Sequence, residues 1–276
     1  MRADLTTGQT LAFDHQGTSG GTPIVLLHGL SGNRRTYHQV TAHLNGRAEV
    51  FSVDLRGHGE SSRAADVAGY RADDYAADIA AFLREVVGRP VLVAGHSLGG
   101  VVAAALATPS GDPDGLVRAV FLEDPPLFEG DDARRAASPV AAFFPRLVAA
   151  VHTLQLADAP LGDYEALAAT TVPADAVTER ALSLRMWDPA TMQAAIDGVV
   201  WQGFDPTVAL SRPVTALCAD PAVGAVFTHD DAVRFRSANP QARVVTVAGA
   251  GHGIHDEPTL GAYLAELDAF VATYGT

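Results

Sequence analysis

Short runs of apolar, largely β-branched residues recur along the chain and leave little choice of architecture. They are PIVLLHG (23–29), EVFSVD (49–54), PVLVAG (90–95), RAVFLED (118–124), PVTALCAD (213–220) and RVVTVAG (243–249). Each is short, bounded by turn residues and apolar throughout, so each predicts a strand buried on both faces. Between them lie stretches of helical periodicity. Tyr75, Ile79, Phe82 and Val86 make one apolar stripe. DEPTLGAYLAELDAFV makes another through Leu260, Leu264, Leu267 and Phe270, with Pro258 near its first turn. This alternation predicts an α/β fold, a mostly parallel central sheet with helices on both faces. Weaker runs around 2–5 and 11–15 add an antiparallel edge, giving about eight strands.

The alternation lapses between Pro126 and Asp205. That stretch is rich in alanine, leucine and proline and holds helical patches such as PVAAFFPRLVAAVHTL and ERALSLRMW, with no strand-like run. The expected organisation is therefore a core in two parts, 1–125 and 206–276, interrupted by a helical cap insertion over 126–205 that leans on the sheet for its own core. Placed after a strand's C-terminal end, the insertion would lie over that edge of the sheet as a lid. Its apolar residues Phe143, Phe144, Leu154, Met186, Trp187, Trp201 and Phe204 serve lid packing or line a pocket, packing being the default for any one of them.

Composition narrows the function classes. A formal net charge of −13 argues against nucleic acid and anionic membrane surfaces as partners. All 19 basic residues are arginine, which excludes a lysine Schiff base. The single cysteine, Cys218, has no partner for a disulfide or a metal pair, and its apolar setting in VTALC reads as a buried small hydrophobe. The N-terminal MRADLTTGQTLAF has no apolar signal region and no run approaches a membrane span, so the cytoplasm is the expected location.

The chemistry starts at VLVAGHSLGGVV (91–102). Ser97 falls between the strand ending near Gly95 and a helix opening at Leu98. A sharp strand-to-helix turn needs a strained residue at its apex and neighbours without side chains, and Gly95-His96-Ser97-Leu98-Gly99 supplies both. A serine raised at a helix N-terminus points to nucleophilic catalysis, which needs a base. His252, in VAGAGHGIHDEP after the last strand, lies on a loop at the same sheet edge. His255 competes but reads better as a structural hydrogen-bonding residue near the helix start. His15, His38, His43, His152 and His229 have only surface or packing contexts. An oxyanion needs backbone donors: the Leu98 N–H at the helix start, and the Leu30 N–H in LLHGLSG (26–32), where Gly29 and Gly32 let the loop turn inward.

His28-Gly29, DLRGHGES (54–61), Gly95-His96-Ser97-Leu98-Gly99 and Gly251-His252 stand in the order and spacing of the α/β-hydrolase superfamily, which this chain resembles over essentially its whole length. The resemblance implies Ser97 as nucleophile, His252 as base and the Leu30 and Leu98 amides as oxyanion donors. It also implies no metal and no cofactor, and a structural role for Asp54, Arg56 and His58. The acid is ambiguous. The family usually places it nine residues beyond a proline like Pro213, where this chain has Ala222, with Asp220 two residues short. Some relatives place it after the preceding strand, seven residues on from a valine like Val117, and here that is Asp124. Glu123 is adjacent, but successive strand residues face opposite ways, so one of the two faces the base. Asp124 is favoured, then Asp220, then Glu123; against all three, Asp124 could simply cap a turn. The expected activity is hydrolysis of a small-molecule carboxylic ester or lactone. Carbon–carbon bond hydrolysis or perhydrolysis by the same triad, or a slow-turnover receptor, are the alternatives. An aspartate nucleophile, as in dehalogenases and epoxide hydrolases, is absent at position 97.

Overall fold

A computed structural model describes residues 1–17, 20–137, 140–172 and 174–275. The strands are β1 (Arg2–Asp4), β2 (Thr10–Gly17), β3 (Thr22–Leu27), β4 (Ala48–Val53), β5 (Val91–His96), β6 (Val117–Glu123), β7 (Val214–Cys218) and β8 (Arg243–Thr246). They form one eight-stranded sheet in the order β1-β2-β4-β3-β5-β6-β7-β8. Pairing is antiparallel for β1/β2 and β2/β4 and parallel from β4 through β8, as the runs of apolar residues require.

Strand alternation sorts the core into two layers. Val25, Leu27, Val91, Val93, Val120 and Leu122 pack on one face with α2 (Ala72–Phe82) and α3 (Leu98–Leu106). Ile24, Leu26, Leu92, Ala94, Ala119 and Phe121 pack on the other with α1 (His38–Leu44) and α10 (Leu260–Tyr274). The stripe from Tyr75 does not run on as one α-helix, because α2 widens into a π-turn over Leu83–Val87. The last helix also differs from expectation. Thr259 donates from its backbone N–H to the Asp256 carbonyl at 3.0 Å and from its hydroxyl to the Ile254 carbonyl at 3.0 Å, so the chain is still turning at Pro258 and α10 opens only at Leu260. Its buried face is Tyr263, Leu267 and Phe270, with Leu260 and Leu264 only partly covered.

Between β6 and β7 the chain makes α4 (Asp132–Ala137), α5 (Val140–Leu156), α6 (Leu161–Ala168), α7 (Val177–Met186) and α8 (Pro189–Ile196). These helices gather a small apolar cluster of their own around Trp187, Tyr164, Val151, Leu184 and Met192, rather than borrowing all of their core from the sheet. The remaining helix, α9 (His229–Ala238), precedes β8. Among the described residues no helix is long and apolar enough to cross a membrane.

Register decides where the loops meet. Leu27 pairs with Gly95, His96 with Glu123, Glu123 with Leu217 and Cys218 with Thr246. The C-terminal ends of five parallel strands are thus level, and the segments leaving them converge at one edge. Phe121, fully buried in β6, locks that sheet to α10 through rings 5.4 Å from both Tyr263 and Phe270. Phe121→Ala is expected to cost about 3–5 kcal/mol by leaving a cavity in the layer. Urea unfolding followed by tryptophan fluorescence measures it, and a loss below about 1 kcal/mol would contradict this packing.

Candidate active site

Ser97 has φ 52° and ψ −116°, a conformation that costs a non-glycine residue about 1–3 kcal/mol. The turn closes so tightly that a Cβ on Gly95 would stand 2.1 Å from the Gly99 carbonyl oxygen, and one on Gly99 would stand 2.0 Å from the Leu27 carbonyl oxygen. Neither glycine can carry a side chain. The Ser97 N–H donates to the Glu123 carbonyl at 2.9 Å, which fastens the apex to β6.

The backbone amides of Leu30 and Leu98, both near the serine, have no acceptor among the described residues. Leu98 opens α3, so its amide belongs to the unsatisfied first turn of the helix. Leu30 lies in a loop held by two buried imidazoles. His28 Nε2 accepts the Leu55 N–H at 3.1 Å, and His58 Nε2 accepts the Ser31 N–H at 3.2 Å. Each ring donates from Nδ1 to a carbonyl, that of Gly29 and of Arg56 respectively. Burial holds both imidazoles below the ordinary histidine pKa, so they stay neutral and can accept. Helix α7 docks on the same loop. Arg180 donates to the Ser31 carbonyl at 2.7 Å and to its hydroxyl at 2.9 Å, and Asn33 donates to the Ser183 hydroxyl at 2.8 Å. Asp54 and Arg56 lie outside this contact. Asp54 accepts from the Arg34 and Glu60 amides, and Arg56 is paired with Asp78.

The acid candidates separate cleanly. Asp124, immediately after β6, has φ 40° and no solvent exposure. It accepts the His252 Nδ1–H at 2.7 Å and the amides of Ala219 at 3.2 Å, Val226 at 2.9 Å and Phe227 at 3.1 Å. Asp220 instead accepts the Ala222 and Gly249 amides at 2.9 and 2.8 Å, which caps a turn and depresses its pKa. Glu123 points to the other face and meets His255. A neutral His252 that donates Nδ1–H to Asp124 presents Nε2 as its acceptor.

Ser97, Leu98, Leu30 and His252 line one cavity of about 260 Å³. Its walls are Val101, Pro126, Phe144, Ala195, Ile196, Val200, Trp201 and Val226, with Glu129, Asp132 and Arg135 the charged members. Arg135 is spent on the Glu129, Gly130 and Ile196 carbonyls and on Asp132, so it is not a free cation in the cavity. The Trp201 indole donates to the Pro126 carbonyl at 2.7 Å and is fixed as wall. Of the other apolar residues expected to pack or line a pocket, Trp187 is wholly buried and Leu154 packs against the same helical cluster. Met186 is half-buried, and Phe204 joins the sheet core. The side chain of Phe143 lies outside the described residues. Cys218 is buried beside Asp124, its thiol pushed up to about 12 first of all by burial.

The sequence profile of the alpha/beta hydrolase family matches residues 24–262. The chain belongs to that family. It is 32% identical over 132 residues to lipase LipV of Mycobacterium tuberculosis, 48% of each chain. Curated relatives of this kind are matched over about a third to a half of their own length. Among solved structures, E-2-(acetamidomethylene)succinate hydrolase superposes with a TM-score of 0.76 at 24% identity, covering 99% of this chain and 98% of that one. The enol-lactonase of Burkholderia xenovorans LB400 superposes with a TM-score of 0.70 at 18% identity, covering 99% and 100%. At those identities the likeness concerns the fold.

Sequence reasoning passed over His96, the variable residue of the serine motif. Its Nε2–H donates to the His252 carbonyl at 3.0 Å, and burial pushes its pKa down to about 3, so it stays neutral. The signal was available, since residue 96 ends a strand beside Ser97. A Gly99→Ala variant tests the elbow. The added methyl cannot fit against the Leu27 carbonyl, so the helix must shift. The expected outcome is loss of soluble expression or a fall in Tm of more than about 8 °C, read by differential scanning calorimetry. A variant with unchanged Tm would refute the packing described.

Proposed function

We propose that this protein is a serine hydrolase that cleaves a carboxylic ester or lactone of a small, largely apolar molecule through an acyl-enzyme intermediate. The observation that carries the reading is the His252–Asp124 hydrogen bond at 2.7 Å on the wall of the cavity that also contains the strained Ser97. His252 Nε2 takes the Ser97 hydroxyl proton as Oγ attacks the carbonyl carbon. The oxyanion that forms is received by the Leu30 and Leu98 N–H groups, aided by the positive end of α3. Collapse expels the alcohol, which leaves with the proton from His252. Water then repeats the sequence on the acyl-enzyme and releases the acid. Asp124 holds the imidazole in its Nδ1–H tautomer and stabilises the imidazolium at each proton transfer.

Substrate size and polarity follow from the cavity. Its apolar walls and internally paired charges favour a neutral acyl or alkyl group. Its volume of about 260 Å³ sits just under the range of about 300–1,000 Å³ usual for larger ligands. The helices over 126–205 act in this reading as the cap that sets specificity. The lipase and the enol-lactonase among its relatives are consistent with ester or lactone chemistry.

Purified protein assayed on p-nitrophenyl esters and a lactone panel tests the proposal. Ser97→Ala is expected to fold normally and lose on the order of 10⁴-fold or more in kcat. Asp124→Asn is expected to lose about 10⁴-fold, whereas Asp220→Asn, which keeps an oxygen able to cap the turn, stays within about threefold of the wild type. Short apolar acyl esters are expected to give higher kcat/KM than long-chain ones. Turnover by Ser97→Ala with contamination excluded, or labelling of Ser97 by a fluorophosphonate without any multiple turnover, would sink the hydrolase reading.

A further inference from the structure

Behind the proposed triad lies a second constellation, displaced by one residue along two strands. His96 precedes Ser97, Glu123 precedes Asp124, and His255 follows His252 by one turn of the same loop. Their side chains meet on the opposite side of the strand ends. The fully buried Glu123 carboxylate accepts the His255 backbone N–H at 2.9 Å and its ring Nδ1–H at 2.7 Å. The His96 ring lies 5.1 Å from that of His255 and 4.6 Å from that of His252, and His96 donates to the His252 carbonyl. Tyr37 covers the group, its hydroxyl 3.4 Å from the second Glu123 oxygen and its ring 4.8 Å from His255.

We propose that Glu123, His255 and His96 are positioning residues that hold the loop of His252 so that its Nε2 stays aimed at Ser97. The proposal rests on the triad reading above. The base sits on an irregular segment between Thr246 and Leu260, where no strand or helix fixes it. Three grips replace that scaffold: Asp124 on the ring, His96 on the carbonyl and Glu123 at residue 255. Stability alone does not require the charge, because a buried ion pair is commonly matched or exceeded by apolar residues of the same size. What the carboxylate adds is direction. It takes two donors of one residue at fixed angles, and that defines where residue 255, and hence 252, must lie.

The groups facing the pair allow its titration to be worked out. Tyr37 and Tyr263 are driven well above the ordinary tyrosine pKa by burial and remain neutral. His96 is neutral. Among the described residues, the other ionisable groups here are His252, Asp124 and the exposed Asp256, the last 3.8 Å from His255 Nε2. Burial opposes a charge on both members. The attraction of Glu123 for His255 outweighs it, so the His255 pKa is raised and that of Glu123 lowered. The His255 contribution is therefore complete below the ordinary histidine pKa and fades as pH rises through its raised value. That of Glu123 is complete above the ordinary carboxylate pKa and fades only as pH falls through its lowered value. The shell loosens on the alkaline side first, where a free catalytic imidazole would otherwise keep working.

Initial rates on one short-chain p-nitrophenyl ester, taken from pH 5 to pH 10, test this in the wild type, Glu123→Gln, His255→Gln and Ser97→Ala. Glu123→Gln is expected to lose on the order of 10²-fold in kcat, with KM changed by less than about twofold, because misaimed chemistry and not binding is affected. The wild type is expected to decline at alkaline pH, and that decline disappears in both shell variants. A folded Glu123→Gln, matched to the wild type by near-UV circular dichroism, that keeps wild-type kcat throughout would overturn the proposal. Should that variant not fold, nitrogen-15 histidine spectra of the wild type decide. Protons on both His255 ring nitrogens at pH 7 support the shell, and a neutral His255 there refutes it. An inactive Ser97→Ala beside an unaffected Glu123→Gln removes the shell alone, whereas an active Ser97→Ala removes the triad reading and the shell with it.

Discussion

The Asp124 carboxylate is the constraint on which this site depends. It has no contact with solvent, yet it carries four hydrogen bonds, three of them from backbone amides in the segment that leaves β7. Those donors fold residues 219–227 back over the end of β6. The fourth bond reaches across to the His252 loop. Three chain segments distant in sequence are thus tied to one side chain. A buried amide left without its acceptor costs about 1–3 kcal/mol, so the segment and the carboxylate require each other. The backbone of Asp124 also adopts φ 40°, a strained conformation for a residue other than glycine. Packing of the sheet edge and orientation of the imidazole are a single arrangement.

The Leu30 side of the cavity is built on a different principle. There the Leu30 amide has no acceptor among the described residues, and the loop around it is held by other groups. The neutral His28 and His58 do this from the sheet side, each accepting one backbone N–H and donating to one carbonyl. From above, α7 supplies Arg180, whose guanidinium has no carboxylate partner among the described residues and is pushed down to about 10 by desolvation. It is satisfied by Ser31, the residue next to Leu30, which itself sits at φ 60°. Helix α7 therefore clamps the loop that carries the Leu30 amide.

Much of this was legible in the sequence because it follows from period and sterics. Buried strands announce themselves as uniform apolar runs, and the glycines of the elbow announce a turn too tight for side chains. The acid was harder. Counting along one strand could not separate Asp124 from Asp220; in space Gly249 and Ala222 draw the Asp220 carboxylate into a turn cap, while Asp124 meets His252. The insertion was less legible still. Trp187 and Trp201 look alike in sequence, yet one closes a private cluster and the other is pinned to the Pro126 carbonyl as a cavity wall. Which tryptophan lines the cavity depends on how short helices pack together, and their weak periodicity does not encode that. Tyr263 went unnoticed as the centre of the α10 face for a similar reason, since its phenol joined no aliphatic stripe.

The neighbouring acids at 123 and 124 show how far the pleat of one strand reaches into chemistry. Strand alternation sends consecutive side chains to opposite faces, so two carboxylates one residue apart serve two imidazoles three residues apart without competing. Each pair is short, at 2.7 Å, and each is buried on its acid side. Their environments differ in one decisive way. His252 keeps about a third of its side chain exposed, at 35%, and opens on the cavity, whereas His255 is shut between Tyr37, Tyr263 and His96. Access of that kind suits the proton transfer proposed for His252, and enclosure suits the positioning role proposed for His255. A slip of one residue in the register of β6 would exchange the two carboxylates and aim each at the wrong histidine. The pairing of Leu92 with Ala119 and of His96 with Glu123, after an irregularity between Val91 and Leu92, fixes that register. A packing decision made in the middle of the sheet therefore selects which carboxylate meets His252 at its edge.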